Sequence, residues 1–131
     1  MSAHEGKETK AAAKGLVIVF PHDDDLFVDL DDKASCQLFW DQLEIVNSMV
    51  SVRAFAVQPS PSGAPWRYHA VVRLARRVRN SVERSALQMM LGSDRVHEAL
   101  SFREALQGEK DACVLFERPE SAAWYAEIRE S

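Results

Sequence analysis

Three acidic side chains and one imidazole carry the chemistry this sequence could perform. In Leu26-Phe27-Val28-Asp29-Leu30-Asp31 apolar and polar residues alternate. A strand there turns Leu26, Val28 and Leu30 to one face and Phe27, Asp29 and Asp31 to the other. Two aspartates on one strand face stand about 6.6 Å apart, twice the rise per residue. Aspartate is disfavoured inside strands, and two on one face repel unless a cation lies between them. Magnesium or manganese is the fitting cation, because it takes carboxylate oxygens and keeps its remaining positions for water and substrate phosphates. Glu117 closes the apolar run Val114-Leu115-Phe116 and supplies a third carboxylate. His69 lies in a second alternating stretch, Trp66 to Leu74, where Ala70, Val72 and Leu74 take the core face and leave His69, Val71 and Arg73 on the opposite one. An imidazole and a guanidinium beside a carboxylate-bound cation are what nucleotide phosphates require: neutralised charge and donors to the non-bridging oxygens. Asp29, Asp31 and Glu117 are therefore the expected catalytic metal ligands, and His69 and Arg73 the expected nucleotide contacts.

The elements that must position these groups follow from periodicity. Gly15 to Phe20 is a β-branched apolar run, and Pro21-His22-Asp23-Asp24-Asp25 supplies turn chemistry before the strand bearing Asp29, so the three aspartates 23–25 read as a solvated turn. Lys33 to Val50 carries Phe39, Leu43, Val46 and Val50 at helical spacing behind Asp31 or Asp32 as N-cap. Ser51 to Val57 reads as a strand, and the proline-rich segment 59–65 joins it to the strand of His69. Asn80-Ser81-Val82-Glu83 opens a helix with Val82, Ala86, Met89 and Met90 as core positions, Gly92-Ser93-Asp94 interrupts it, and a second piece runs to about Leu106. Cys113 to Phe116 is a short strand, and Trp124 and Tyr125 mark a C-terminal helix folded back on the body. Trp66, Trp124 and Tyr125 read as packing residues.

The order strand, helix, strand, strand, helix, strand predicts an α+β, ferredoxin-like or RRM-like βαββαβ fold. Its four-stranded antiparallel sheet would carry both helices on one face, with an extra N-terminal strand or hairpin, and the last strand would pair with the strand of Asp29. The other face would stay open and gather Asp29, Asp31, His69, Arg73 and Glu117.

Composition bounds the rest. The chain has 131 residues, 47% hydrophobic and 27% charged, which is one ordinary folded soluble domain over 15–131 behind a polar, flexible tail over 1–14. The longest apolar run, Leu16 to Phe20, is too short to span a bilayer, and no apolar stretch marks a secretory signal, so a cytoplasmic location without membrane attachment is expected. Cys36 and Cys113 lack metal-ligand spacing and read as reduced, buried thiols. The net charge of −4 excludes bulk electrostatic coating of nucleic acid, yet residues 22–32 hold six aspartates and residues 67–84 six arginines. From that basic segment Arg67, Arg76, Arg77 and Arg79 are the expected contacts to a nucleic-acid backbone.

Phe27-Val28-Asp29-Leu30-Asp31 resembles the hydrophobic-Asp-hydrophobic-Asp motif of the archaeo-eukaryotic primase and primase-polymerase superfamily. Trp66-Arg67-Tyr68-His69-Ala70-Val71-Val72 is similar to its strand-histidine motif, and Leu115-Phe116-Glu117 to its third, acidic motif. The resemblance spans residues 26 to 117. It implies an RRM-like palm whose acidic residues bind divalent metal, whose histidine contacts an incoming nucleoside triphosphate, and whose partner is a nucleic-acid template in replication. Arg67 stands where the family carries a small residue, and the chain has no length for the further subdomain of polymerising members, which implies a minimal or inactive relative. Two other readings use the same scaffold: a non-enzymatic ferredoxin-like module that binds a protein partner, a nucleic acid or a second copy of itself, and a small metal-dependent nuclease.

Overall fold

A computed structural model describes residues 3–108 and 114–130. The elements in chain order are α1 (Ala3–Ala13), β1 (Val17–Val19), β2 (Asp25–Leu30), α2 (Lys33–Val50), β3 (Val52–Pro59), β4 (Tyr68–Leu74), α3 (Ser81–Met90), α4 (Arg95–Leu106), β5 (Leu115–Glu117) and α5 (Pro119–Glu130). Cys113 lies outside the described residues. The architecture is mixed α+β with two small antiparallel sheets, one ordered β2-β4-β3 and the other β1-β5. No helix among the described residues is long and apolar enough to cross a membrane.

Alternation sets the layers. Leu26, Val28 and Leu30 of β2 and Ala70, Val72 and Leu74 of β4 form one core with Cys36, Phe39 and Val46 of α2 and Leu87 of α3. Asp32 starts α2 with a capping box, accepting from the Ser35 amide at 2.8 Å, while Asn80 and Asp94 cap α3 and α4. Between α3 and α4, Gly92 has φ +92°, and a Cβ there would stand 2.8 Å from the Ser35 carbonyl oxygen, so the α3–α4 turn can lie against α2 only with glycine at this position.

Four expectations are corrected. The sheet face opposite α2 is covered: Phe27, Ala56 and Val71 pack under Val19, Leu115 and Tyr125 in a second core. The last strand, β5, pairs with β1 and not with β2, matching Val17 to Glu117. The reason lies at the outer edge of β2, which other groups occupy: the Phe27 amide donates to Gln88 Oε1 at 2.7 Å, the Asp29 amide to Ser93 Oγ at 3.1 Å, and the Asp29 carbonyl accepts from the Asp94 amide at 2.8 Å. Because Gln88 must face inward to do this, α3 turns Val82 and Met89 out to solvent, and Leu87 and Leu91 take the core positions. Finally, the stretch read as a frayed tail is helical over Ala3–Ala13, with Ala11 buried and Lys7 paired to Glu104 of α4 at 2.6 Å.

Candidate functional site

Asp29 and His69 stand directly opposite one another in the β2–β4 ladder. Their side chains leave the same face, and Asp29 Oδ1 lies 3.7 Å from His69 Nε2. The other ring nitrogen, Nδ1, is hydrogen-bonded to Glu117 Oε1, which β5 brings over the sheet. Glu117 is fully buried, and its second oxygen, Oε2, has no hydrogen-bond partner among the described residues. A carboxylate on Nδ1 fixes the orientation of the ring, and with the proton on Nδ1 the lone pair of Nε2 faces Asp29. Tyr125 of α5 closes the rear of the site, its hydroxyl 3.5 Å from the His69 carbonyl oxygen. Burial, with Glu117 nearby, pushes the Tyr125 phenol up, so it stays a neutral donor.

Asp29 and His69 form part of the wall of a cavity of about 360 Å³. Lys7 and Lys10 of α1 and His97 and Glu104 of α4 also line it. A cavity lined by an aspartate, an imidazole and ammonium groups suits an anion carried with a cation: Asp29 and His69 on the cation, and Lys10 on the anion. Their 3.7 Å separation lets Asp29 and His69 offer two ligands to one small ion, leaving most of its coordination sphere to water and phosphate oxygens.

The other expected residues lie elsewhere. Strand β2 ends at Leu30, and Asp31 follows the chain into the α2 cap, where its amide donates to Ser35 Oγ at 3.2 Å and its carboxylate meets Arg67 Nε at 3.2 Å. Asp31 lines a different cavity, between the start of α2 and the α3–α4 turn. Glu117 reaches Asp29 only through the imidazole, so Asp29, Asp31 and Glu117 do not converge as one ligand set. Arg73 sits opposite Asp25, about 13 Å along β4 from His69 at four rises of 3.3 Å, and its Nε binds Asp24 at 3.3 Å. The expected backbone contacts have acidic neighbours as well: Arg76 and Arg79 share Glu83, at 2.6 and 3.7 Å, and Arg77 lies 3.8 Å from Asp23. The hydrogen bond from Arg76 holds the Glu83 carboxyl below its usual range.

Among the described residues one set of three potential ligand atoms does lie mutually within 4.8 Å: His22, Asp24 and Asp25, in the segment read as a solvated turn. Asp25 is fully buried there and accepts from the His22 amide at 2.8 Å within the turn, while Asp24 ties the turn to Arg73 of β4. Sequence reasoning missed Lys7, Lys10 and His97 because nothing local marks them; only the docking of α1 and α4 brings them to Asp29. No family model matches the chain, and neither does any curated protein or solved structure.

Proposed function

We propose that this chain is a nucleotide-handling protein of nucleic-acid metabolism that binds a nucleoside triphosphate together with magnesium or manganese at Asp29 and His69. The observation that carries this reading is the Asp29–His69–Glu117 chain, in which a buried carboxylate orients an imidazole whose other nitrogen faces an aspartate across the ladder. A buried carboxylate held by an imidazole costs stability unless it is well compensated, and such placements concentrate where chemistry needs them. The cation would supply charge neutralisation at the phosphates. Asp29 and His69 would hold it, Glu117 would keep the ring aligned, and Lys10 with His97 would meet the anionic tail.

The motif resemblance supports the same reading. In it, β2-α2-β3-β4-α3 with the order β2-β4-β3 is the first part of a ferredoxin-like, RRM-like palm whose fourth strand has been displaced from the β2 edge. The position of Asp31, in another cavity, favours nucleotide binding over polymerisation and so a minimal or inactive relative of the primase-polymerase group. A binding module built on an open sheet face has no surface here, since β1, β5 and α5 cover that face.

The test is a melting curve. Manganese with ATP or GTP should raise the midpoint of the parent protein by about 3 °C or more at saturating ligand. Asp29→Ala should abolish the rise, and Asp31→Ala should keep it. A parent midpoint indifferent to both nucleotides with manganese overturns the proposal.

A further inference from the structure

Trp66 occupies a conformation that its side chain should avoid. The Arg67 amide bonds the Ala64 carbonyl at 3.3 Å, closing a four-residue turn with Pro65 and Trp66 at its centre, and Trp66 has φ +62°. Proline followed by a positive φ is the signature of a type II turn, whose third position is the one normally reserved for glycine or asparagine. A bulky aromatic there is a genuine outlier, and a residue held against its local preference calls for a compensating use.

Packing does not supply that use. Trp66 belongs to neither hydrophobic core and is 48% exposed. Lys33 Nζ lies over one face of the ring, 5.3 Å from its centroid, and Arg67 follows in sequence with its half-exposed side chain paired to Asp31. The backbone fixes the display from below, with the Ser60 amide donating to the Arg67 carbonyl at 2.9 Å and Cys36 Sγ 3.5 Å from the Trp66 carbonyl oxygen. A half-exposed indole with an ammonium over one face and a guanidinium on the next residue has the two components of single-strand recognition, a second π-face for a base and cations for the neighbouring phosphates.

We propose that Trp66 is a stacking platform for an unpaired nucleobase of single-stranded nucleic acid, with Lys33 and Arg67 meeting the flanking phosphates. This does not depend on the nucleotide site at Asp29 and His69. Bases already stacked in a duplex cannot use the ring, so a single strand should bind more tightly than the same sequence in duplex form.

The experiment measures fluorescence anisotropy of end-labelled single-stranded oligothymidylate and oligouridylate with the full chain, alongside thermal melting. Trp66→Gly and Trp66→Asn, which both suit the turn, should weaken binding about tenfold or more, and Trp66→Phe should hold it within about threefold. Both turn-compatible variants should melt at or above the parent temperature, because they relieve the positive φ. Lys33→Ala should lower the salt dependence of log K by about 0.7, the value of one single-strand phosphate contact. Parent protein that binds neither oligonucleotide overturns the proposal. So do Trp66→Gly and Trp66→Asn proteins that bind as the parent does; lower melting temperatures in that case would assign the ring to packing. Loss of the manganese–nucleotide response with the Trp66 result intact would overturn only the reading of the Asp29 site.

Discussion

At the scale of single residues, His69 joins two carboxylates of different standing. Glu117 has left water entirely, and Asp29 remains partly solvated at the cavity. Removing one member of a buried pair leaves the other desolvated without compensation. His69→Ala should therefore destabilise the fold by about 3–5 kcal/mol in urea denaturation. In a Glu117→Leu background the same change should cost about 2 kcal/mol less, because the orphaned charge is gone. Equal costs in both backgrounds would show that the two side chains are not coupled. Much of this pairing was legible from the chain: alternation alone turns Asp29 and His69 to one face of adjacent strands, and the ladder sets them opposite. Glu117, expected as a third metal ligand on an open face, instead meets His69 Nδ1 from a strand laid over the sheet and paired with β1. Asp31 was not legible. Period-two alternation continues through it in sequence, yet the capping demand of α2 ends the strand one residue earlier and turns its carboxylate to Arg67.

At the scale of elements, the edge of β2 explains both the fold and a pH effect. Ser93 links that edge to Glu98, which accepts from Ser93 Oγ at 2.8 Å and from Gln88 Nε2 at 2.8 and 3.0 Å. Gln88 in turn receives the Phe27 amide, so one buried network ties α3, α4 and β2 together. Burial pushes the Glu98 carboxyl above its usual range, against the pull of the Ser93 and Gln88 hydrogen bonds. A carboxyl whose folded pKa is raised binds its proton more tightly in the native state, so its contribution to stability is fully present below the ordinary value near 4.5 and is lost as pH rises toward the raised one. Denaturation of the parent and of Glu98→Gln at a series of pH values upward from about 4 should show a parent that loses stability relative to the variant as pH rises. A constant difference between the two curves would contradict the assignment. The caps at Asp32, Asn80 and Asp94 were readable from sequence because they act within a few residues. The role of Gln88 was not, since its partner is 61 residues away and a glutamine on a helix ordinarily reads as surface.

At the scale of the whole molecule, the central sheet is filled on both sides, which is why alternating strands misled about an open face. A half-exposed sheet and a fully covered one share the same period of two when the second layer is small and carries a few polar groups inward. Here the covering layer is β1, β5 and α5, and its largest buried contribution is Tyr125, packed with Val19, Phe27, Ala56, Val71 and Leu115. The ring and the hydroxyl of Tyr125 do different work. The ring fills the second core, so Tyr125→Ala should cost about 3–5 kcal/mol through lost burial and the cavity left behind. The hydroxyl makes only a long hydrogen bond to the His69 carbonyl, so Tyr125→Phe should cost no more than about 1 kcal/mol. If α5 is what keeps water from Glu117, the two variants must also separate in the His69–Glu117 coupling. Tyr125→Phe should preserve the double-mutant term, whereas Tyr125→Ala should shrink it by admitting water to the carboxylate. Urea denaturation of the cycle in each Tyr125 background decides the matter, and a coupling that survives Tyr125→Ala unchanged would mean that the β1–β5 sheet alone excludes solvent from the site.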